Sequence, residues 1–133
     1  MTPSPSDTTL DALADVARGC PGLELFLMFG SRARVDFSPR SDWDFGYLAT
    51  ADVDYAGLLA GLVTITNSDR VDLVDLGQAG GLLRYRAARD GQLVFEITPG
   101  LEDRFRFEAV QFWCESVSIL ERGYDEALAE LKR

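Results

Sequence analysis

The chain has 133 residues, 47% of them hydrophobic and 26% charged, the size of one domain that can bury a core without disulfide or metal staples. Its formal net charge of −9 repels a phosphate backbone, so direct nucleic-acid binding is not expected; no apolar run reaches membrane-span length, so no membrane is expected either. There is no histidine, which excludes imidazole bases, Ser-His-Asp triads and His-ligated zinc.

Met1 to Asp7 lacks the basic and apolar regions of a secretory leader and reads as a short disordered lead-in, with cytoplasm as the expected compartment. Residues 8–133 are expected to form a single domain. Asp7 or Thr8 caps a first helix running to about Arg18, and Pro21-Gly22 breaks it. Leu23 to Phe29 is a dense apolar run of strand length, as in a strand buried on both faces. Gly30-Ser31 ends it. Residues 32–41 are polar and contain Pro39, which predicts a short helical turn and a loop. Asp42 to Ala49 reads as a second strand and Asp54 to Thr66 as a helix. Asn67-Ser68-Asp69 is a turn, and Arg70 to Leu76 a third strand. Gln78 to Arg89 is helical, Asp90-Gly91 a turn, and Gln92 to Ile97 a fourth strand. From about Pro99 the chain is helical, with a break at Gly123 before a short terminal helix. The fold class is α/β (α+β): a central mixed sheet of about four strands flanked by helices, with a C-terminal helical extension.

The C-terminal helix is apolar all round. One stripe (Phe105, Ala109, Phe112, Ser116, Ile119) is expected to pack on the domain. A second (Phe107, Val110, Cys114, Val117) is left for deeper burial or for a partner. Cys20 and Cys114 show no metal or disulfide spacing and read as ordinary thiols. Of the 13 basic residues all but Lys132 are arginine. Arginine suits bidentate phosphate contacts, although a compositional bias of the genome accounts for the preference more simply.

Chemistry concentrates between Phe29 and Phe45. A buried strand ends in Gly30-Ser31 and turns toward a helix start. There the glycine admits a phosphate close to the backbone, and orphan N–H groups favour an anion. Arg32 or Arg34 can add charge-assisted contacts to phosphates. Asp42 and Asp44 lie two apart and so share one face of a strand. Side-by-side carboxylates repel, and an apolar strand does not keep them for stability. Hard oxygen ligands suit magnesium when a nucleotide supplies further oxygens. Asp72 and Asp75 on the third strand point to opposite faces, so only one can join the pair. Asp72 is the better candidate, leaving Asp75 a structural role and Glu96 a weaker supplementary one. Two ions held by Asp42, Asp44 and Asp72 at about 3.5–4 Å separation would orient a triphosphate and activate a hydroxyl.

The order apolar-Gly-Ser, ten residues, Asp-x-Asp, then a strand-borne Asp resembles the nucleotidyltransferase superfamily of DNA polymerase beta. The similarity is greatest to its minimal form, the MNT-domain proteins. It is carried by Gly30-Ser-Arg-Ala-Arg-Val35, Ser41-Asp-Trp-Asp44, Val71 to Leu76, Leu82-Leu-Arg-Tyr85 and Asp90-Gly-Gln-Leu-Val-Phe95, and covers roughly residues 23–97. The resemblance implies an enzyme that uses ATP and Mg2+ (two ions), with Asp42, Asp44 and Asp72 as catalytic metal ligands. Gly30, Ser31 and Arg34 would bind the nucleotide. It also implies an antitoxin that transfers AMP to a tyrosine of a helical HEPN-type toxin, its protein partner, and so silences it. Two positions depart from the family pattern: Val35 stands where glycine is usual, and Trp43 where a small aliphatic residue is. Two alternatives stay beside this reading. One is a transferase acting on a small molecule such as an aminoglycoside, which usually needs a second domain to bind the acceptor. The other is a non-catalytic antitoxin that covers its toxin.

Overall fold

β1, Leu23–Phe29, carries apolar side chains at odd and even positions alike, so neither of its faces can be left in water. The fold answers by placing β1 inside a four-stranded mixed sheet and covering both faces. The computed structural model describes residues 7–30 and 42–131, and all statements here concern those residues. The expected lead-in lies outside them, except that Asp7 opens α1, Asp7–Arg18. The loop expected over residues 32–41, with Ser31, Arg32, Arg34 and Val35, also lies outside them.

Next come β2 (Trp43–Ala49), α2 (Tyr55–Thr66), β3 (Val71–Asp75), α3 (Gly81–Asp90), β4 (Gln92–Glu96) and α4 (Leu101–Leu131). Asp54 caps α2 by accepting from the Gly57 amide at 3.1 Å, and Asn67 ends it in the left-handed conformation. The sheet order is β3-β2-β1-β4. β1 is antiparallel to β2 and to β4, while β2 and β3 are parallel. The α+β class with a central mixed sheet of four strands is therefore as expected.

Alternation sorts the core into two layers. Phe26, Met28, Trp43, Phe45 and Leu73 meet Leu13 of α1 and Leu58 and Leu62 of α2. Leu25, Leu27 and Phe29 meet Ala87 and Ala88 of α3 and Phe105 and Ala109 of α4. Trp43 is thus a core residue stacked near Phe45, with ring centroids 6.0 Å apart.

Three expectations need correction. α3 begins at Gly81, not Gln78; the Gln78 amide closes a turn on the Asp75 carbonyl, and Gly80 and Gly81 are poor helix formers. α4 does not break at Gly123 but runs unbroken through it over 31 residues in all. A lone glycine lowers helix propensity by about 1 kcal/mol without removing a hydrogen bond, unlike proline. The packing stripe of α4 stops early: Phe105 and Ala109 are buried, but Phe112 and Ile119 are 58% and 60% exposed, because the sheet and α3 end before the helix does. Among the described residues no helix is long and apolar enough to cross a membrane.

Candidate active site

Because β1 runs antiparallel to β2, its end lies beside the start of β2, with Phe29 opposite Asp44. Because β2 and β3 are parallel, the start of β3 lies there too, with Asp44 opposite Asp72. Residues in register on neighbouring strands share a face, so the two carboxylates project together on the α3 side of the sheet. Asp42 stands exposed one residue ahead of β2.

Gly30 follows β1 with φ +74°, a conformation that side chains disfavour. A Cβ there would fall 2.1 Å from Asp44 Oδ2, so this position must be glycine for the carboxylate to hold its place. Burial lifts the Asp44 carboxyl to about 6, and the charges of Asp72 and Asp42 push the same way. A hydrogen bond from the protonated Asp44 to Asp72 adds to the rise. Such a group is under electrostatic load that a cation would relieve. Hard oxygen donors converging from adjacent strands fit a divalent ion of the magnesium type. Among the described residues no three acidic or cysteine side chains already converge on one metal-sized position. Asp44 and Asp72 are the carboxylates in register here, and Asp42 stands two residues before Asp44.

A cleft of about 420 Å³ opens beside Asp44, lined by Phe29, Gly30, Asp44, Leu83, Arg86, Arg89 and Asp90. That volume suits a small-molecule ligand. The two arginines were not singled out in the sequence. Their signal is the i, i+3 spacing that puts Leu83, Arg86 and Arg89 on one face of α3, and it becomes meaningful only once the sheet order is known.

Asp75 looks away from the cleft: it lies opposite Tyr47 and accepts from the Gly77 amide at 2.9 Å, a structural role. Glu96 is also apart from the cleft. It sits at the far end of β4 and accepts from the Glu102 amide at 2.9 Å, satisfying the first turn of α4, so the supplementary role weighed for it is withdrawn.

The Polymerase beta, Nucleotidyltransferase family matches residues 12–99, more than half of the chain. Over 100 residues the chain is 34% identical to the protein adenylyltransferase MntA of Aphanizomenon flos-aquae; the match covers 65% of this chain and spans 65% of that relative's length. The fold resembles a chain in the crystal structure of a toxin–antitoxin complex with AMP-PNP, with TM-score 0.73 and 23% identity over 90% of this chain and 98% of that one. It also resembles a chain in a structure of the tri-AMPylated Shewanella oneidensis HEPN toxin with MNT antitoxin, with TM-score 0.68 and 22% identity over 91% and 97% of the two chains. At those identities the structures establish the fold. The family match runs from α1 through the carboxylate-bearing strands to the turn before α4, and on it the chain belongs to the polymerase beta nucleotidyltransferase family.

Proposed function

We propose that this chain is a magnesium-dependent protein adenylyltransferase that moves AMP from ATP to a tyrosine hydroxyl of a helical HEPN-type toxin and thereby acts as its antitoxin in the cytoplasm. The observation that carries the reading is the Asp44–Asp72 pair, in register on parallel strands, with Asp44 lining a cleft of ligand size. Two facing carboxylates cost stability and a purely structural sheet would not retain them, which weighs against the non-catalytic alternative. The relative named a protein adenylyltransferase and the likeness to toxin–antitoxin structures, one with an ATP analogue and one with an AMPylated toxin, favour a protein acceptor over a small molecule.

Asp42, Asp44 and Asp72 would hold the divalent ions, which when bound supply charge neutralisation at the triphosphate and lower the acidity barrier of the acceptor. Gly30 and Ser31 would cradle the phosphates, with Arg34 as an added contact. Gly30 keeps the backbone low enough for close approach. The acceptor oxygen bonds to the α-phosphorus, the bond to the pyrophosphate oxygen breaks, and Asp72 takes the hydroxyl proton. The single domain expected over residues 8–133 would carry the site in its sheet and the partner surface on its terminal helix.

The test is to incubate the chain with α-labelled ATP, magnesium and its HEPN partner. Label on the partner that is lost in Asp44→Asn and Asp72→Asn is expected. Label only on a small acceptor, or tight complex formation without any label, would overturn the proposal.

A further inference from the structure

The wall of the cleft that faces Asp44 carries two arginines and one carboxylate, Asp90, so it is basic by one charge. The last two turns of α3 bring Arg86 and Arg89 there beside Leu83. Arg89 is already engaged. Its guanidinium donates to both oxygens of Asp90, at 2.9 and 2.7 Å, and lies 5.6 Å from the Tyr85 ring centre. Arg86 is exposed, and among the described residues no ion pair involves it.

The cleft lies at the C-terminal end of α3, which is the negative end of the helix dipole and by itself disfavours an anion. That end is already answered. Arg106 of α4 donates to the Ala88 carbonyl and, at 2.6 Å, to the Gly91 carbonyl, and Arg89 occupies the last turn. Arg86, a turn earlier, is surplus to capping the helix. Across the cleft the carboxylate pair calls for cations rather than phosphates. A triphosphate drawn to that pair through divalent ions still carries charge on its outer phosphates. In a chain of net charge −9 that charge needs a local cation.

We propose that Arg86 holds the β- and γ-phosphates of the bound nucleoside triphosphate, the half that leaves as pyrophosphate, with Arg89 as the braced neighbouring contact. This rests on the nucleotidyl-transfer reading above. When the α–β phosphoanhydride bond breaks, negative charge builds on the departing pyrophosphate. A guanidinium placed there binds the transition state more tightly than the ground state.

The test titrates the full chain with ATP, AMP and inorganic pyrophosphate in the presence of magnesium, for wild type, Arg86→Ala and Arg86→Lys. Arg86→Ala is expected to weaken ATP and pyrophosphate binding about tenfold or more, the loss of a charge-assisted contact. AMP affinity should stay within about twofold and the melting temperature should not change. Arg86→Lys should recover part of the ATP affinity, since it keeps the charge but loses the fork. Unaltered ATP binding in Arg86→Ala, or equal weakening of ATP and AMP, would overturn the assignment. Wild-type protein that binds no ATP at all would remove the nucleotide reading itself, a separate outcome that this first column of the titration identifies.

Discussion

Asp44 is the residue on which burial and like charge act together. Its folded carboxyl is raised from 3.8 to about 6, so the folded state holds a proton that the unfolded chain releases at lower pH. A raised pKa contributes stability that is fully present below the unfolded value and is lost as pH rises through the folded one. Between about pH 4 and 6 the Asp44 contribution should therefore fall with rising pH. Asp44→Asn removes the load, and its melting temperature at pH 7.5 should exceed wild type by about 2–4 °C, with the gain vanishing at pH 4.5. Magnesium should raise the melting temperature of wild type and leave Asp44→Asn unmoved; differential scanning fluorimetry at the two pH values measures both effects. Gly30→Ala tests the neighbouring constraint. Its Cβ would collide with Asp44 Oδ2 at 2.1 Å in a backbone of positive φ. It should cost about 1–2 kcal/mol in urea unfolding and reduce AMP transfer at least tenfold, as the carboxylate is pushed off its position.

At the scale of elements, α3 and α4 are joined through polar as well as apolar contacts. Arg106 bridges the end of α3 to Glu102, which it meets at 2.9 Å, and the Tyr85 and Trp113 rings stack at 5.5 Å. Arg106→Ala strands the Ala88 and Gly91 carbonyls and should lower stability by about 1–3 kcal/mol in a urea melt. Beyond Trp113 α4 has little beneath it, and apart from its chain neighbours and the helix's own backbone nothing lies within 4 Å of where a Cβ on Gly123 would stand. Gly123→Ala should accordingly stabilise by about 0.5–1 kcal/mol and raise helicity by circular dichroism; a loss of helicity would mean that the chain turns at that glycine after all. Here the limits of reading a sequence are visible in single residues. The apolar run Leu23–Phe29 and the alternation Trp43, Phe45, Tyr47 announce their strands, because burial on one or both faces leaves a period of its own. Gly123 misleads, because a glycine weakens a helix without forbidding it.

At the scale of the whole molecule, strand geometry singled out Asp44, which does lie on β2, whereas Asp42 stands one residue ahead of the strand expected to hold both. Asp72 was the better of two candidates on alternation and family resemblance, but what sets it opposite Asp44 is the register between β2 and β3, which no local pattern encodes. Arg86 was not legible at all, since it enters the cleft only when α3 packs across the sheet. α4 carries Phe107 and Phe112 well exposed in its first half and Ile119, Leu120 and Tyr124 in its distal half. Under the proposed antitoxin function this is the surface a helical partner would cover. Ile119→Glu with Leu120→Glu should leave the melting temperature of the isolated chain within about 1 °C while abolishing co-purification with the HEPN partner. Retention of the complex would move the interface elsewhere.

The parallel pairing of β2 and β3 acts as a ruler. Neighbouring strands lie about 4.8 Å apart, a spacing fixed by main-chain hydrogen bonds and not by any side chain. With Asp44 directly opposite Asp72, the separation of the two residues' backbones is inherited from the sheet. Loops at either end of the sheet can lengthen, shorten or change composition without resetting it. A slip of one residue, by contrast, would turn Asp72 to the opposite face and bring Val71 or Leu73 in its place. The acidic pair is therefore either fully assembled or wholly lost, and the part of the protein free to diversify is everything that surrounds it.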